Sequence, residues 1–190
     1  MTPFEFIFVL YSLLLGLSLV ELLGGLGRAL EYKFARDASG KEFTIGWLTP
    51  LLAVFVMLDL LSFWIFAWVV RDLIQLTATT LLAVMSFASC YYLAARLVFP
   101  SEPDNFIDLD NHYMRVRKLV FAILIALVVA QWIYLFLTPE LNAVATHALS
   151  LVLTAVLLVL MAGAIFARGK TMSAIIIVLL IARYLIAYLI

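Results

Sequence analysis

Residues 119 to 139 read L-V-F-A-I-L-I-A-L-V-V-A-Q-W-I-Y-L-F-L-T-P, a run of 21 residues without a charged side chain. A hydrocarbon core about 30 Å thick needs roughly 20 helical residues, so this run is long enough to cross it. Uncharged runs of 23 residues (73 to 95) and 27 residues (141 to 167) share this property. These three stretches predict transmembrane helices.

Three further apolar stretches are interrupted by a charged residue, namely Glu21, Asp59 or Arg183. A central Asp or Arg costs about 2.5 to 3.5 kcal/mol on the insertion scale, while each Leu, Ile, Phe or Val returns about 0.3 to 0.6 kcal/mol. Because the surrounding apolar residues offset one such charge, these stretches are also predicted to span. The chain is therefore predicted to form one transmembrane domain over residues 1–190, with spans at about 3–27, 46–70, 73–98, 117–138, 142–166 and 171–190.

Composition supports this fold class, an all-α polytopic helix bundle. Hydrophobic residues make up 67% of the chain and charged residues 13%, whereas soluble domains are about half apolar and a quarter charged. Basic and acidic residues both number 12, so no basic excess points to nucleic acid. The expected partner is the lipid bilayer, together with a homo-oligomer or a larger membrane complex as alternatives that the sequence leaves open.

The placement of basic residues predicts the orientation. Ten Lys and Arg residues flank the spans on one side, whereas the other side has only Arg71. Basic residues concentrate in cytoplasmic loops, so both termini are predicted to lie outside, with three loops in the cytoplasm. The ten are Arg28, Lys33, Arg36, Lys41, Arg96, Arg115, Arg117, Lys118, Arg168 and Lys170.

Ionisable residues within spans are costly and tend to mark functional sites. Asp59 lies 13 residues from the start of its span and Arg183 lies 12 residues from the start of its own. At 1.5 Å per residue, both lie about 18 to 20 Å from the inner face. We expect an Asp59–Arg183 ion pair, with Gln131 at nearly the same depth completing a polar layer. This layer serves either as an ion or proton pathway or as a static pair that fixes helix packing.

Glu21 lies near the inner end of the first span, in the segment E-L-L-G-G-L-G-R. Its carboxylate is expected to reach the cytoplasmic boundary or to meet Arg96, and the glycines allow a helix or a ligand to approach closely. Close packing with an interfacial salt bridge is favoured over a binding site. Arg28, Arg96 and His112 are assigned to the cytoplasmic mouth.

The remaining polar residues favour structural roles. His147, six residues into the fifth span, is expected to hydrogen-bond between helices rather than to bind a metal. Asp108 and Asp110 suit helix capping better than a metal site with His112, so no metal or cofactor is predicted. Arg115, Arg117 and Lys118 are expected at lipid head groups. Small polar residues in the third span are typical of either helix packing or a pathway lining: Thr77, Thr79, Thr80, Ser86, Ser89 and Cys90.

Two segments carry a resemblance to known proteins. These are P-F-E-F-I-F-V-L-Y-S with G-L-S-L-V-E-L-L-G-G-L-G-R near the N-terminus, and I-D-L-D-N-H-Y-M-R-V-R before the fourth span. They resemble a group of short, uncharacterised bacterial multi-pass inner-membrane proteins. The resemblance implies a bacterial inner membrane and carries no activity or site residues.

Three classes of function are compatible with these patterns. The first is a small transporter or channel for an ion or small solute that uses Asp59, Arg183, Gln131, Glu21 and His147. The second is a non-catalytic accessory or scaffold subunit of a membrane complex. The third is an enzyme with His112, Asp108 or Glu21 as acid or base, which is least favoured because no nucleophile and base occur at recognisable spacing. We favour the first class, narrowly over the second.

Overall fold

The computed structural model describes residues 2–38, 43–102, 108–141 and 146–189. Within these residues it has six long α-helices, each long and apolar enough to cross a membrane, and a short 3-10 helix at Pro139–Leu141. The all-α class and the six candidate spans are therefore confirmed. The helices are α1 (Pro3–Ala38), α2 (Leu48–Val69), α3 (Ala78–Val98), α4 (Leu109–Leu137), α5 (Ala148–Phe166) and α6 (Lys170–Leu189).

Several helices depart from the predicted spans at their ends. α1 continues to Ala38 and α4 begins at Leu109, because helical hydrogen bonding can continue beyond the apolar run into polar sequence. α3 begins only at Ala78, where the Thr77 side chain accepts a hydrogen bond from the backbone amide of Thr80. Lys41 and the predicted boundaries at residues 142 and 190 lie outside the described residues.

The helices pack as a ring in the order α1, α3, α4, α5, α6 and α2, and α2 closes the ring against α1. α2 also contacts α3 and α4, so it is the central helix of the bundle. Its side chains Leu52, Phe55 and Val56 are completely buried. The outward faces of the helices, including that of α2, expose many large apolar side chains, as expected where lipid replaces water. This arrangement places Asp59, on α2, at the centre of the bundle.

One end of the bundle, where α1, α3 and α5 finish, is called the basic end. The other end, where α1 begins and α6 finishes, is called the terminal end. At the basic end, residues 108–110 at the start of α4 contact the segment before α2, the start of α2 and the start of α6. The amide of Leu109 donates to the Thr44 carbonyl at 3.1 Å, and the amide of Leu48 donates to Asp110 Oδ1 at 2.9 Å. The Lys170 ammonium pairs with the Asp108 carboxylate. These contacts bring the starts of α2, α4 and α6 together.

Candidate functional site

Asp59 lies on α2 and is completely buried, with none of its surface exposed. Its Oδ1 atom accepts a hydrogen bond from the hydroxyl of Tyr184 on α6. Its Oδ2 atom is buried and has no hydrogen-bond partner of acceptable geometry among the described residues. The Tyr91 hydroxyl lies nearby but donates to the carbonyl of Val56 at 2.5 Å. One carboxylate oxygen is therefore available to a further partner.

Four tyrosines surround Asp59, and we call them the tyrosine cluster: Tyr11, Tyr91, Tyr184 and Tyr188. The hydroxyl of each donates a hydrogen bond to a residue of α2. Tyr184 bonds the Asp59 side chain, whereas Tyr11 bonds the Phe63 carbonyl at 3.2 Å. Tyr188 bonds the carbonyl of Leu58 at 2.6 Å. The tyrosine cluster thus connects α1, α3 and α6 to the central helix around the buried carboxylate.

The expected Asp59–Arg183 ion pair is wrong, since no such pair lies within 4.0 Å in the described structure. Arg183 Nε donates to the Leu153 carbonyl on α5 at 3.2 Å, and its Cζ lies 4.6 Å from the centre of the Tyr184 ring. Successive helical residues point about 100° apart. Because Tyr184 faces α2, its neighbour Arg183 is turned toward α5. Arg183 lies at the level of Asp59, as expected. The residue that contacts the Asp59 carboxylate, however, is Tyr184 and not Arg183.

Gln131 does not join Asp59 in a polar layer. It is half-buried and lies along a cavity of about 660 Å³ at the terminal end, which we call the terminal cavity. The cavity lies between four helices, whose lining residues fall within 4–11 of α1, 63–67 of α2, 79–90 of α3 and 127–134 of α4. Val70 and Ile74, in the connection after α2, also line it. Tyr11 and Phe63 line this cavity and also take part in the contacts around Asp59. The terminal cavity therefore reaches the tyrosine cluster.

The small side chains of α3 make room for the terminal cavity. Thr79, Ala83, Ser86 and Cys90 line it and recur at intervals of four, three and four residues, the spacing of one helical face. The small polar residues of this span were expected either to pack between helices or to line a pathway. The cavity favours the second role for these four positions. Ser89, in contrast, is absent from the cavity wall.

Glu21 meets Arg96, as one of the two sequence alternatives proposed. Its Oε2 atom lies 3.4 Å from Arg96 Nε and 3.8 Å from an Arg28 nitrogen. The Tyr92 hydroxyl donates to the other carboxylate oxygen at 3.3 Å. A Cβ atom on Gly25 would lie 2.6 Å from the Phe99 ring, so α1 approaches the end of α3 closely. This combination supports the packing interpretation of the segment.

His112 and the two nearby aspartates have separate structural roles. Asp108 caps α4 by accepting from the Asp110 amide at 2.9 Å, and Asp110 accepts from Leu48 at the start of α2. The capping prediction is confirmed. His112 Nε2 lies 3.0 Å from the Leu97 carbonyl and borders a 460 Å³ pocket with Arg96. Within the described ranges, no three His, Cys, Asp or Glu side chains are grouped to hold a metal ion.

The pKa of Asp108 reflects its contacts at the basic end. Burial raises the pKa of this carboxyl, but hydrogen bonds from the Lys170 ammonium and the Asp110 amide outweigh that effect. The pKa is consequently held below its ordinary value. Asp108 therefore remains charged and paired at neutral pH.

The expected position of His147 within the fifth span is wrong. The residue is exposed and precedes α5, and its side chain makes no capping hydrogen bond. Counting from one charge to the next placed the start of the span too early, because an uncharged residue need not be helical. The 19 residues of α5 provide almost the roughly 20 needed to cross a hydrocarbon core.

Arg117 is also not among lipid head groups, although its neighbours Arg115 and Lys118 are exposed. It is buried, and one guanidinium nitrogen donates to the Ala164 carbonyl at 3.4 Å and to Ser173 Oγ at 3.3 Å. Ala164 lies in the last turn of α5. A cation there satisfies the free carbonyls and the negative end of the helix dipole, so Arg117 is a helix-capping residue.

Sequence reasoning missed the tyrosine cluster. Tyr184 immediately follows Arg183, and Tyr91 lies well inside its span. Tyrosine concentrates at the two membrane interfaces, so a tyrosine far from either end of a span is unusual. That position, combined with an aspartate at similar depth, is the signal that would have identified Tyr91 and Tyr184.

Comparisons of the chain with known protein families, curated proteins and solved structures found no match.

Proposed function

We propose that this chain is a small membrane transporter or channel for an ion or small solute, with Asp59 as its central binding group. The observation that carries the proposal is the carboxylate oxygen Asp59 Oδ2, which is buried in the central helix without a hydrogen-bond partner in the described structure. An unpaired polar atom in an apolar interior is costly, and an ionisable residue within a membrane span is by default a candidate functional group. Asp59 is therefore the group that binds the transported species or a coupling proton.

The terminal cavity supports this role because it leads from the terminal end to Tyr11 and Phe63, which border Asp59. On the other side of Asp59, α2 continues through Val56, Phe55 and Leu52, which are all completely buried. The arrangement corresponds to a pathway that is accessible from one end and closed at the other. Passage toward the basic end then requires α2 to move relative to its neighbours.

The neighbouring residues have distinct parts in this proposal. Tyr184 holds one oxygen of Asp59, so that the other oxygen faces an incoming partner. Arg183, stacked on the Tyr184 ring, supplies a positive charge near the site without neutralising Asp59 directly. The ten basic flanking residues support a bacterial inner-membrane orientation in which the basic end faces the cytoplasm and both termini lie outside.

Flux through purified protein in liposomes tests the proposal. Entrapped dyes for H⁺, Na⁺ and K⁺ report ion movement under an imposed potential, and swelling in glycerol reports neutral solutes. We expect the wild type to exceed empty liposomes in at least one assay, and Asp59→Asn to reduce that flux by at least tenfold. Asp72→Asn, which changes an exposed aspartate at the terminal end, is the matched control. Equal flux for Asp59→Asn and the wild type would overturn the assignment of Asp59.

An accessory or scaffold subunit remains the second candidate. The hydrogen bonds from the tyrosine cluster to α2 favour it, because they connect three helices to the centre as a static bundle requires. Purification from native membranes in a mild detergent discriminates between the two functions. A stable complex with a larger partner or homo-oligomer, together with no flux in liposomes, would favour the subunit.

A further inference from the structure

We infer that the terminal cavity binds a neutral, largely apolar small molecule that carries a hydrogen-bonding group. The inference rests on the proposed function, since it names the solute class that the transporter would take. Binding can nevertheless be measured without transport. The two ideas can therefore fail separately.

The size of the cavity suits one small molecule. Its volume of about 660 Å³ falls within the range of about 300 to 1,000 Å³ that is typical of ligand sites. Four different helices contribute to its wall, so a ligand would be surrounded on several sides. A drug-sized molecule fits this space.

The wall favours an apolar ligand body. α1 and α2 contribute the rings of Phe8, Tyr11, Phe63 and Phe66, and Phe87 of α3 packs edge-on against Phe63 with ring centres 4.9 Å apart. Aromatic rings provide large apolar surfaces and favour stacked or edge-on contact with another ring. A ligand with a ring system would therefore bury its apolar surface well here.

The wall also favours a neutral ligand. None of the residues that line the cavity, all of them in the described part of the chain, is an Asp, Glu, Lys, Arg or His. A charged ligand would lose its water without gaining an oppositely charged partner, which is costly in an apolar site. Asp59 itself lies behind Tyr11 and Phe63 and is fully buried. The wall therefore favours neutral ligands over anions and strongly hydrated cations.

The Gln131 side chain supplies the hydrogen-bonding position. It lines the cavity from α4 and makes no hydrogen bond within the described residues. A primary amide has two donor hydrogens and an acceptor oxygen, and leaving them unpaired in a membrane interior is unfavourable. A ligand hydroxyl, carbonyl or amine would satisfy this amide. The acyl chain of a membrane lipid would not, so we assign a polar group to the occupant.

Cys90 provides a built-in reporter for binding. It is the only cysteine of the chain, it is exposed, and it lines the cavity. We would measure its alkylation by N-ethylmaleimide as a mass increase of the protein in lipid nanodiscs. The neutral probe is N-phenyl-1-naphthylamine, and its matched control is 1-anilinonaphthalene-8-sulfonate, which has the same aromatic body and an added negative charge. We expect the neutral probe alone to slow alkylation by at least fivefold.

Two variants of α4 locate the protection. Ala130 lines the cavity, and Ala126, one turn away, is exposed but does not line it. Ala130→Phe should abolish protection by filling the site, while Ala126→Phe should retain it. Gln131→Leu should raise the probe concentration for half-protection by about tenfold, which corresponds to the loss of one hydrogen bond.

Several outcomes would overturn the inference. They are equal protection by the two probes, no protection by either, protection that survives Ala130→Phe, and a wild-type Cys90 that does not react with N-ethylmaleimide. Selective protection by the neutral probe, combined with no flux of H⁺, Na⁺, K⁺ or glycerol in liposomes, would support the binding site and reject transport of ions and small polar solutes. Protection and flux together would support both.

Discussion

The hydroxyl of Tyr184 donates a hydrogen bond to Asp59 Oδ1 and thereby links α6 to the central helix. The Tyr184 ring also packs against Phe55 of α2, with ring centres 6.0 Å apart. The tyrosine thus separates the buried carboxylate from the Arg183 guanidinium, which stacks on its ring. Asp59 is held by a neutral donor rather than by an ion pair, which leaves its second oxygen available.

Removal of this donor should destabilise the bundle. Tyr184→Phe retains the ring but removes the hydrogen bond to Asp59 Oδ1, so that neither carboxylate oxygen has a hydrogen-bond partner within the described part of the chain. We expect a loss of about 1 to 3 kcal/mol, the usual cost of leaving a buried acceptor unpaired, measured by thermal unfolding in detergent. Tyr188→Phe is the control, because its hydroxyl bonds only a backbone carbonyl and its side chain is partly exposed. An equal effect of the two variants would contradict a special role for the Tyr184 bond.

Asp59 and Arg183 should show weak energetic coupling. Breaking a buried ion pair typically costs about 3 to 5 kcal/mol, and the double variant then recovers much of that loss. Since Arg183 bonds Leu153 instead, the cycle of Asp59→Asn, Arg183→Gln and the double variant should give a coupling energy below about 1 kcal/mol. Unfolding of the four proteins in one detergent measures it. A coupling energy of several kcal/mol would contradict the prediction and indicate that Asp59 and Arg183 form an ion pair.

Depth along a helix could be predicted from the sequence, but direction around its axis could not. The rise per residue is constant, so counting residues along each span predicts the depth of a side chain. This count placed Arg183 level with Asp59, and it placed Glu21 near Arg96. Which neighbour a side chain faces depends on the rotation of each helix, which its tertiary contacts determine. Neither the turn of Arg183 toward α5 nor the burial of Arg117 could be obtained by counting.

The candidate site was predicted only in part for the same reason. Asp59 was identified because a charge in an apolar run is visible in the sequence. The terminal cavity was not, since it depends on the separation between helices at one end of the bundle. The small residues of α3 can be recognised in the sequence. Which of them pack between helices and which line the cavity depends on the face of α3 that is turned toward the cavity.

Two glycines of α1 should respond oppositely to alanine. A Cβ atom at Gly25 would lie 2.6 Å from Phe99, whereas one at Gly27 would meet nothing within 4 Å. Gly25→Ala should therefore cost about 1 to 3 kcal/mol through overpacking. Gly27→Ala should be neutral or stabilise the helix by up to about 1 kcal/mol. Thermal unfolding of both variants checks the prediction, which fails if Gly25→Ala is as stable as Gly27→Ala.

The Asp108–Lys170 pair should make the basic end sensitive to acid. The pKa of Asp108 is below its ordinary value, so the folded state favours the charged form. Its contribution is complete above the unfolded pKa of about 3.9 and is lost as the pH falls through the lower folded pKa. Asp108→Asn should remove this component of the acid dependence while retaining the α4 cap, because asparagine caps as well as aspartate.

Asp108→Ala separates the cap from the charge. It removes both contacts and should cost about 1 kcal/mol more than Asp108→Asn at neutral pH. Unfolding temperatures measured from pH 7 to pH 3 in one detergent test both variants, with Asp37→Asn as a control for an exposed aspartate within a helix. If the stability difference between the wild type and Asp108→Asn is the same at pH 7 and pH 3, the charge of Asp108 does not stabilise the basic end. The contribution of this residue would then come from the cap alone.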